Sequence, residues 1–270
     1  MEERLIHKMK IISILILLVL SFSCATNPYK LSEKSYRNQL KIFKETISKN
    51  DTIGNNSIWI NTVNFNLRKP NFVIIHHTAQ DSLQQTIKTF TLQKTQVSSH
   101  YVISNDGKVV QMLNDYLRAW HAGNASWGKN TDINSTSIGI ELDNNGVEPF
   151  SEVQINSLLK LLTRLKKLYN IPSQNIIGHS DIAPSRKNDP SILFPWKKLA
   201  ENGFGIYPEE VLIKAPEKFN AEMGLRIIGY DIKNLSDAIS AFKRHFIQTE
   251  ANDVLDQKTI NAIYNVYLKI

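Results

Sequence analysis

Cysteine is almost missing: Cys24 is the only one in 270 residues, which rules out an intramolecular disulfide and any cysteine-clustered metal site. A bound metal must therefore rely on His, Asp or Glu. Long apolar runs are scarce as well. The segment IISILILLVL at residues 11–20 has ten apolar residues, against the roughly 20 that a bilayer-spanning helix requires. With 11 glycines, 9 prolines and 42% hydrophobic residues, the chain is neither fibrous nor disordered and can bury a core. Acidic residues are in deficit, 25 against 32 Lys and Arg, for a net charge of +7. The excess is spread without a dense basic run, which suits an anionic polymer or membrane surface as well as nucleic acid. No stretch reads as a recognition helix rich in Lys and Arg, so no nucleic-acid partner is expected.

A basic start, the ten-residue apolar run, small residues and then Cys24 resemble a bacterial lipoprotein signal. Cleavage behind Ser23 would make Cys24 the lipidated N-terminus. One departure is Ser21, which stands where leucine is usual, with Leu20 one place earlier. An uncleaved anchor, or an ordinary signal with an incidental cysteine, is the alternative. Residues 1–23 are thus expected to be a signal peptide and 24–56 a polar tether with a short helix near 36–47. Ala25 is not a retention signal of the aspartate kind, so the expected location is an outer membrane, facing the periplasm.

Regular structure becomes dense beyond the tether. Residues 72–76 are a short apolar run typical of a buried strand. Asp81 can cap a helix carrying Leu83, Ile87 and Phe90 at helical spacing. Residues 100–104 and 108–112 flank Asn105-Asp106-Gly107, a hairpin signal. Residues 137–142 are another strand, and 176–177 a shorter one. Ser151 with Gln154 forms a capping-box pattern before a helix marked by Ile155, Leu158, Leu162, Leu165 and Tyr169 and closed by Pro172. This order implies an α/β protein, a mixed central β-sheet flanked by helices. After a break at 203–208 come helices around 235–246 and from the cap residue Asp256.

Three segments carry chemistry at strand ends or in loops, where α/β proteins place their sites. They are His76-His77, Glu141 within SIGIELDN, and GHSDIAPSRKNDP at 178–190. Two histidines and a carboxylate can hold a catalytic zinc with one position left for water, and His76, His179 and Asp189 would supply that set. His100 competes as a ligand and His77 competes with His76, although neighbours on a strand face opposite ways, so only one of that pair reaches the metal. The same alternation puts Gly139 and Glu141 on one face of their strand, opposite Ile138, Ile140 and Leu142, where Glu141 can act as general base. Lys187, two residues before Asp189, can set its ammonium against an oxyanion.

The motifs IIHHTA, SSHY, RAWHAG, SIGIELDN and GHSDIAPSRKNDP, in this order and spacing, resemble the type 2 zinc-dependent N-acetylmuramoyl-L-alanine amidases, whose fold is shared by peptidoglycan recognition proteins. The resemblance spans about 57–200, and the catalytic domain is expected at 57–202. It implies His76, His179 and Asp189 as zinc ligands, Glu141 and Lys187 as catalytic residues, and peptidoglycan or muropeptides as the partner of a monomeric enzyme. The implied reaction cleaves the amide between N-acetylmuramic acid and L-alanine, in cell-wall recycling or remodelling. Trp120, His121 and Asn124 are expected to contact substrate, although Trp120 could equally be core. Residues 208–270 resemble the small three-helix peptidoglycan-binding domain appended to such enzymes, with a purely packing subdomain as the alternative. A catalytically silent peptidoglycan receptor on the same fold is the competing function. Such receptors typically lack a metal ligand, and none is missing here.

Overall fold

The computed structural model describes residues 27–48, 67 and 69–270. The signal segment, Cys24 and most of the 49–68 stretch lie outside the described residues. Two compact units divide the chain, Met1–Asn61 and Thr62–Ile270. In the first, helix α1 spans Lys30–Ser48, longer at both ends than the helix expected at 36–47. No described helix is long and apolar enough to cross a membrane.

The second unit is built on a five-stranded sheet. Its strands are β1 (Phe72–His77), β2 (Tyr101–Ile103), β3 (Val109–Gln111), β4 (Ser137–Leu142) and β5 (Ile176–Gly178), in the order β3-β2-β4-β1-β5. Only β3 runs antiparallel to its neighbour, through the hairpin that Gly107 turns at φ 84°. The other pairings are parallel. The mixed sheet matches the expectation, although β2 and β3 are each a residue shorter at both ends than expected, while β5 runs one residue further.

Both faces of the sheet are covered, which explains the near-continuous apolar runs. On one face Val73, Ile75, Ile138, Ile140 and Leu142 pack against Ile155, Leu158, Leu162 and Leu165 of helix α4 (Glu152–Tyr169), with Phe194 and Trp196 completing this core. On the other face Ile74 and Ile177 meet Ala122, Ile133 and Ile182. Helix α2 (Leu83–Thr91) covers the start of the cleft, and the short α3 (Ile133–Thr136) precedes β4.

Three local readings change. The cap of α2 is Ser82, whose hydroxyl accepts Gln85 N–H, while Asp81 donates its own N–H to the Gln85 side chain. Ser151 does cap α4, but Gln154 does not return the bond that completes a capping box. Its side-chain amide is drawn inward to the carbonyls of Ile103 and Asp143, tying helix to sheet. The helix stops at Tyr169 because Asn170 adopts the left-handed conformation, φ 54°, before Pro172 is reached.

After β5 come α5 (His179–Ile182) and α6 (Trp196–Glu201), followed by the C-terminal helices α7 (Ala221–Ile228), α8 (Leu235–Phe246) and α9 (Gln257–Tyr267). The last three bury Leu225, Ile228, Phe242, Phe246, Ile263 and Val266 in a core of their own, and Asp256 caps α9 through Thr259 N–H. Lys243 within this region is fully buried and pairs with Glu250 and Asn252. The C-terminal helices also reach back to the sheet region. Tyr230 packs edge-on against Trp127, and a side chain on Gly229 would collide with that indole at 2.3 Å. Gln248 donates to the carbonyls of Ile192 and Phe194.

Candidate active site

The register of three parallel strands assembles the site. His76 of β1 lies beside Glu141 of β4, and Ile75 is paired with Gly178 of β5, so the chain delivers His179 one residue later, level with His76. These are the carboxyl ends of the strands, where open α/β sheets form their crevices. Pleating turns His76 and Glu141 away from the α4 core, as the alternation required, while His77 turns to the opposite side and accepts Ser191 N–H at Nδ1, 3.0 Å.

His76, His179 and Asp189 bring their donor atoms within 4.8 Å of one another, all three buried. His76 Nδ1 lies 2.9 Å from His179 Nδ1, and the two nitrogens lie 3.1 and 3.0 Å from Asp189 Oδ2. The outer ring nitrogens are committed elsewhere. His179 Nε2 donates to the Ala122 carbonyl at 3.1 Å, and His76 Nε2 lies 3.1 Å from His121 Nδ1. With their protons there, both imidazoles turn lone pairs toward each other and toward a carboxylate. That arrangement is repulsive unless a cation lies among them, so the residues present fit a divalent metal. Burial, then the neighbouring His179, lowers the His76 pKa to about 4, which keeps the ring neutral as a ligand requires. Burial would raise Asp189, but the imidazoles of His179 and His76 beside it outweigh that effect and hold the carboxyl well below its usual range.

His121 lines the cleft and is also tied into the metal site as a support. It is buried, and its rings of contacts form a relay: His76 Nε2–H to His121 Nδ1, His121 Nε2–H to Ser137 Oγ at 3.1 Å, and Ser137 Oγ–H to the Ile133 carbonyl at 2.6 Å. The ring lies flat against Gly139, where an added Cβ would come within 2.5 Å of it. His100 is not a ligand, since its two ring nitrogens are bound to the Leu117 carbonyl and Gly139 N–H.

Glu141 is 9% exposed, with Oε1 4.0 Å from His76 Nδ1 and Oε2 buried without a hydrogen-bond partner among the described residues. Burial, then the charge of Asp189, pushes its pKa up to about 8, with Lys187 working against the rise. Lys187 lines the same cleft of about 330 Å³ and makes no side-chain hydrogen bond or ion pair among the described residues. Trp120 also lines it, half exposed at 51%, so it is not core. Asn124 is exposed and does not line the cleft; its carbonyl instead accepts a bond from Arg186.

The loop that carries His179 and Asp189 is held from below by Asp181, which the sequence did not single out. Its carboxylate, fully buried, accepts Gly178 N–H at 2.7 Å, Tyr230 O–H at 2.6 Å and His245 Nδ1–H at 2.7 Å. His245 is stacked between Trp196 and Phe246. Two side chains of the C-terminal segment thus brace the metal-binding loop.

The signature of the N-acetylmuramoyl-L-alanine amidase family matches residues 66–192. The N-acetylmuramoyl-L-alanine amidase AmiD of Escherichia coli is 34% identical over 69% of this chain and 78% of its own length. The chain belongs to the N-acetylmuramoyl-L-alanine amidase family. The 1,6-anhydro-N-acetylmuramyl-L-alanine amidase AmpD of Haemophilus influenzae is 37% identical over 40% of this chain and 59% of that protein. Among solved structures, E. coli AmiD in complex with anhydro-N-acetylmuramic acid-L-Ala-D-gamma-Glu-L-Lys superposes with a TM-score of 0.67 at 30% identity, covering 77% of this chain and 93% of that one. AmpDh3 from Pseudomonas aeruginosa gives 0.69 at 26% identity, covering 82% and 99%. This amidase chain therefore shares the mixed-sheet fold of both structures.

Proposed function

We propose that the protein hydrolyses the amide joining the lactyl group of N-acetylmuramic acid to L-alanine in peptidoglycan or muropeptides, with zinc held by His76, His179 and Asp189. The observation that carries the reading is the convergence of three buried donors beside the unpaired carboxylate oxygen of Glu141. Zinc supplies Lewis acidity, polarising a carbonyl and making water nucleophilic near neutral pH. Glu141 takes the proton from the attacking water and passes it to the amide nitrogen as the peptide leaves. Lys187 sets its ammonium against the oxygen that gains negative charge. The exposed face of Trp120 at the cleft mouth suits the flat side of a sugar ring. A complete ligand trio with a poised base argues against a silent receptor.

The N-terminal run at 11–20 followed by Cys24 supports the further proposal of an exported lipoprotein, tethered to the periplasmic face of an outer membrane, with the helices of 208–270 assisting attachment to the wall.

Glu141→Gln tests the catalytic reading. The variant should bind zinc as tightly as the native protein while kcat falls by about 10² to 10⁴, the usual contribution of a general base. Loss of the metal in Glu141→Gln would make Glu141 a ligand and overturn the assignment.

A further inference from the structure

A second groove, of about 340 Å³, opens off the catalytic cleft and shares His77, Ala79 and Asn188 with it. Its far wall is Arg244, carried on α8 of the C-terminal segment, together with Ser191. The guanidinium of Arg244 is half-buried yet makes no hydrogen bond or ion pair among the described residues. The two carboxylates whose charge reaches it are already engaged. Asp181 is taken by Gly178, Tyr230 and His245, and Asp189 Oδ2 faces His76 and His179. Ser191 is 8% exposed and its hydroxyl has no partner, although its backbone N–H binds His77 Nδ1. That bond leaves the ring proton of His77 on Nε2. The groove lining contains no Asp or Glu. A partly desolvated cation without a counter-ion is costly to maintain, as is a buried hydroxyl left unpaired. Here the guanidinium lines the groove, with the buried Ser191 hydroxyl behind its wall, beside the residues that border the zinc-ligand loop.

We propose that this groove is an anion subsite that receives a free carboxylate of the substrate's peptide, held by the fork of Arg244. The proposal rests on the amidase reading for the identity of the anion. In a peptide that continues from L-alanine through a γ-linked D-glutamate, the α-carboxyl of that glutamate stays free and ionised one residue beyond the scissile amide. A planar, bidentate guanidinium matches a carboxylate in geometry as well as charge. The C-terminal segment then contributes to substrate selection as well as bracing the loop.

The test compares L-Ala-D-γ-Glu-L-Lys attached to anhydro-N-acetylmuramic acid with the same compound bearing a carboxamide in place of the glutamate α-carboxyl. The native zinc enzyme should favour the carboxylate by about tenfold or more in kcat/KM, mostly through KM, as expected for a charge-assisted hydrogen bond. Arg244→Gln should bring that ratio close to one, and Arg244→Lys should restore part of it in a protein that melts like the native one. A native ratio near one, or a ratio unchanged in Arg244→Gln, overturns the subsite while leaving the amidase intact. The two readings separate further by calorimetric binding of the free tripeptide and its carboxamide to the Glu141→Gln protein. Preference for the carboxylate form without cleavage by the native enzyme would uphold the subsite and defeat the amidase reading. Inorganic phosphate that binds at Arg244 while the tripeptide does not would mark a simple anion site and overturn the proposal.

Discussion

Gly139→Ala is the smallest change that should disturb the metal centre without touching a ligand. Residue 139 lies in β4 with ordinary strand geometry, so alanine costs nothing in backbone conformation. The added methyl, however, would sit 2.5 Å from His121 Cγ, 2.7 Å from Cδ2 and 2.8 Å from Nδ1. Relief to ordinary contact near 3.5 Å requires a ring shift of roughly 1 Å. His121 cannot move that far and keep its bonds to His76 Nε2 and Ser137 Oγ, both 3.1 Å, since each would stretch to about 4 Å. Losing two hydrogen bonds at about 1 kcal/mol each, with overpacking of about 1–3 kcal/mol, gives a destabilisation of roughly 3–5 kcal/mol. In a unit of this size that lowers Tm by roughly 5–15 °C. His76 also loses the acceptor that fixes its tautomer, and disruption of such an outer contact weakens metal binding by about 10- to 100-fold. Chelator competition gives the zinc affinity, and thermal melts of the metal-free protein give the stability. A Gly139→Ala protein with native affinity and native Tm would refute the relay through His121.

Stability of the metal-free protein should depend on pH in a defined sense. Glu141, raised to about 8 from about 4.5, holds a proton in the folded state that the unfolded chain releases, so folding weakens as pH rises between those values. His76, lowered to about 4, acts oppositely, adding stability from pH 4 up to its unfolded value near 6.5. The Glu141 effect is therefore left uncompensated between about pH 6.5 and 8, where stability should fall by at most about 1.4 kcal/mol per pH unit, about 2 kcal/mol in all. Melts in chelator should show that fall in the native protein and not in Glu141→Gln; a flat native profile contradicts it. Cys24→Ser should release the protein from membranes, because lipid chains contribute about 0.8 kcal/mol per buried methylene. Fractionation that finds a cleaved Cys24→Ser form still in the membrane pellet would point to another anchor.

The sequence carried the centre of this site because its residues sit in short segments whose local geometry is fixed. Alternation along β4 placed Glu141 opposite the core, and the same rule separated His76 from His77. Loop residues were less legible. His121 and Asn124 stand three apart in one loop, yet one turns inward onto Gly139 while the other faces solvent, a choice made by Asn134, whose side chain binds the backbone N–H of His121 and Ala122. The brace on Asp181 was invisible because its partners Tyr230 and His245 lie 49 and 64 residues further along, and no periodicity links a buried carboxylate to a tyrosine and a histidine in another core. Arg244 was hidden for a similar reason: in AFKRHF the pattern marks Phe242 and Phe246 as core but does not say which surface the arginine between them meets.

The most direct test of the central claim is mass spectrometry of the products formed from a purified muropeptide by native protein, with and without chelator and after zinc is restored. The expected products are the intact stem peptide with a free L-alanine amine and a glycan that keeps its lactyl carboxylate, both lost in chelator and recovered on adding zinc. Cleavage at any other bond, or undiminished release from protein shown to be free of metal, would contradict it.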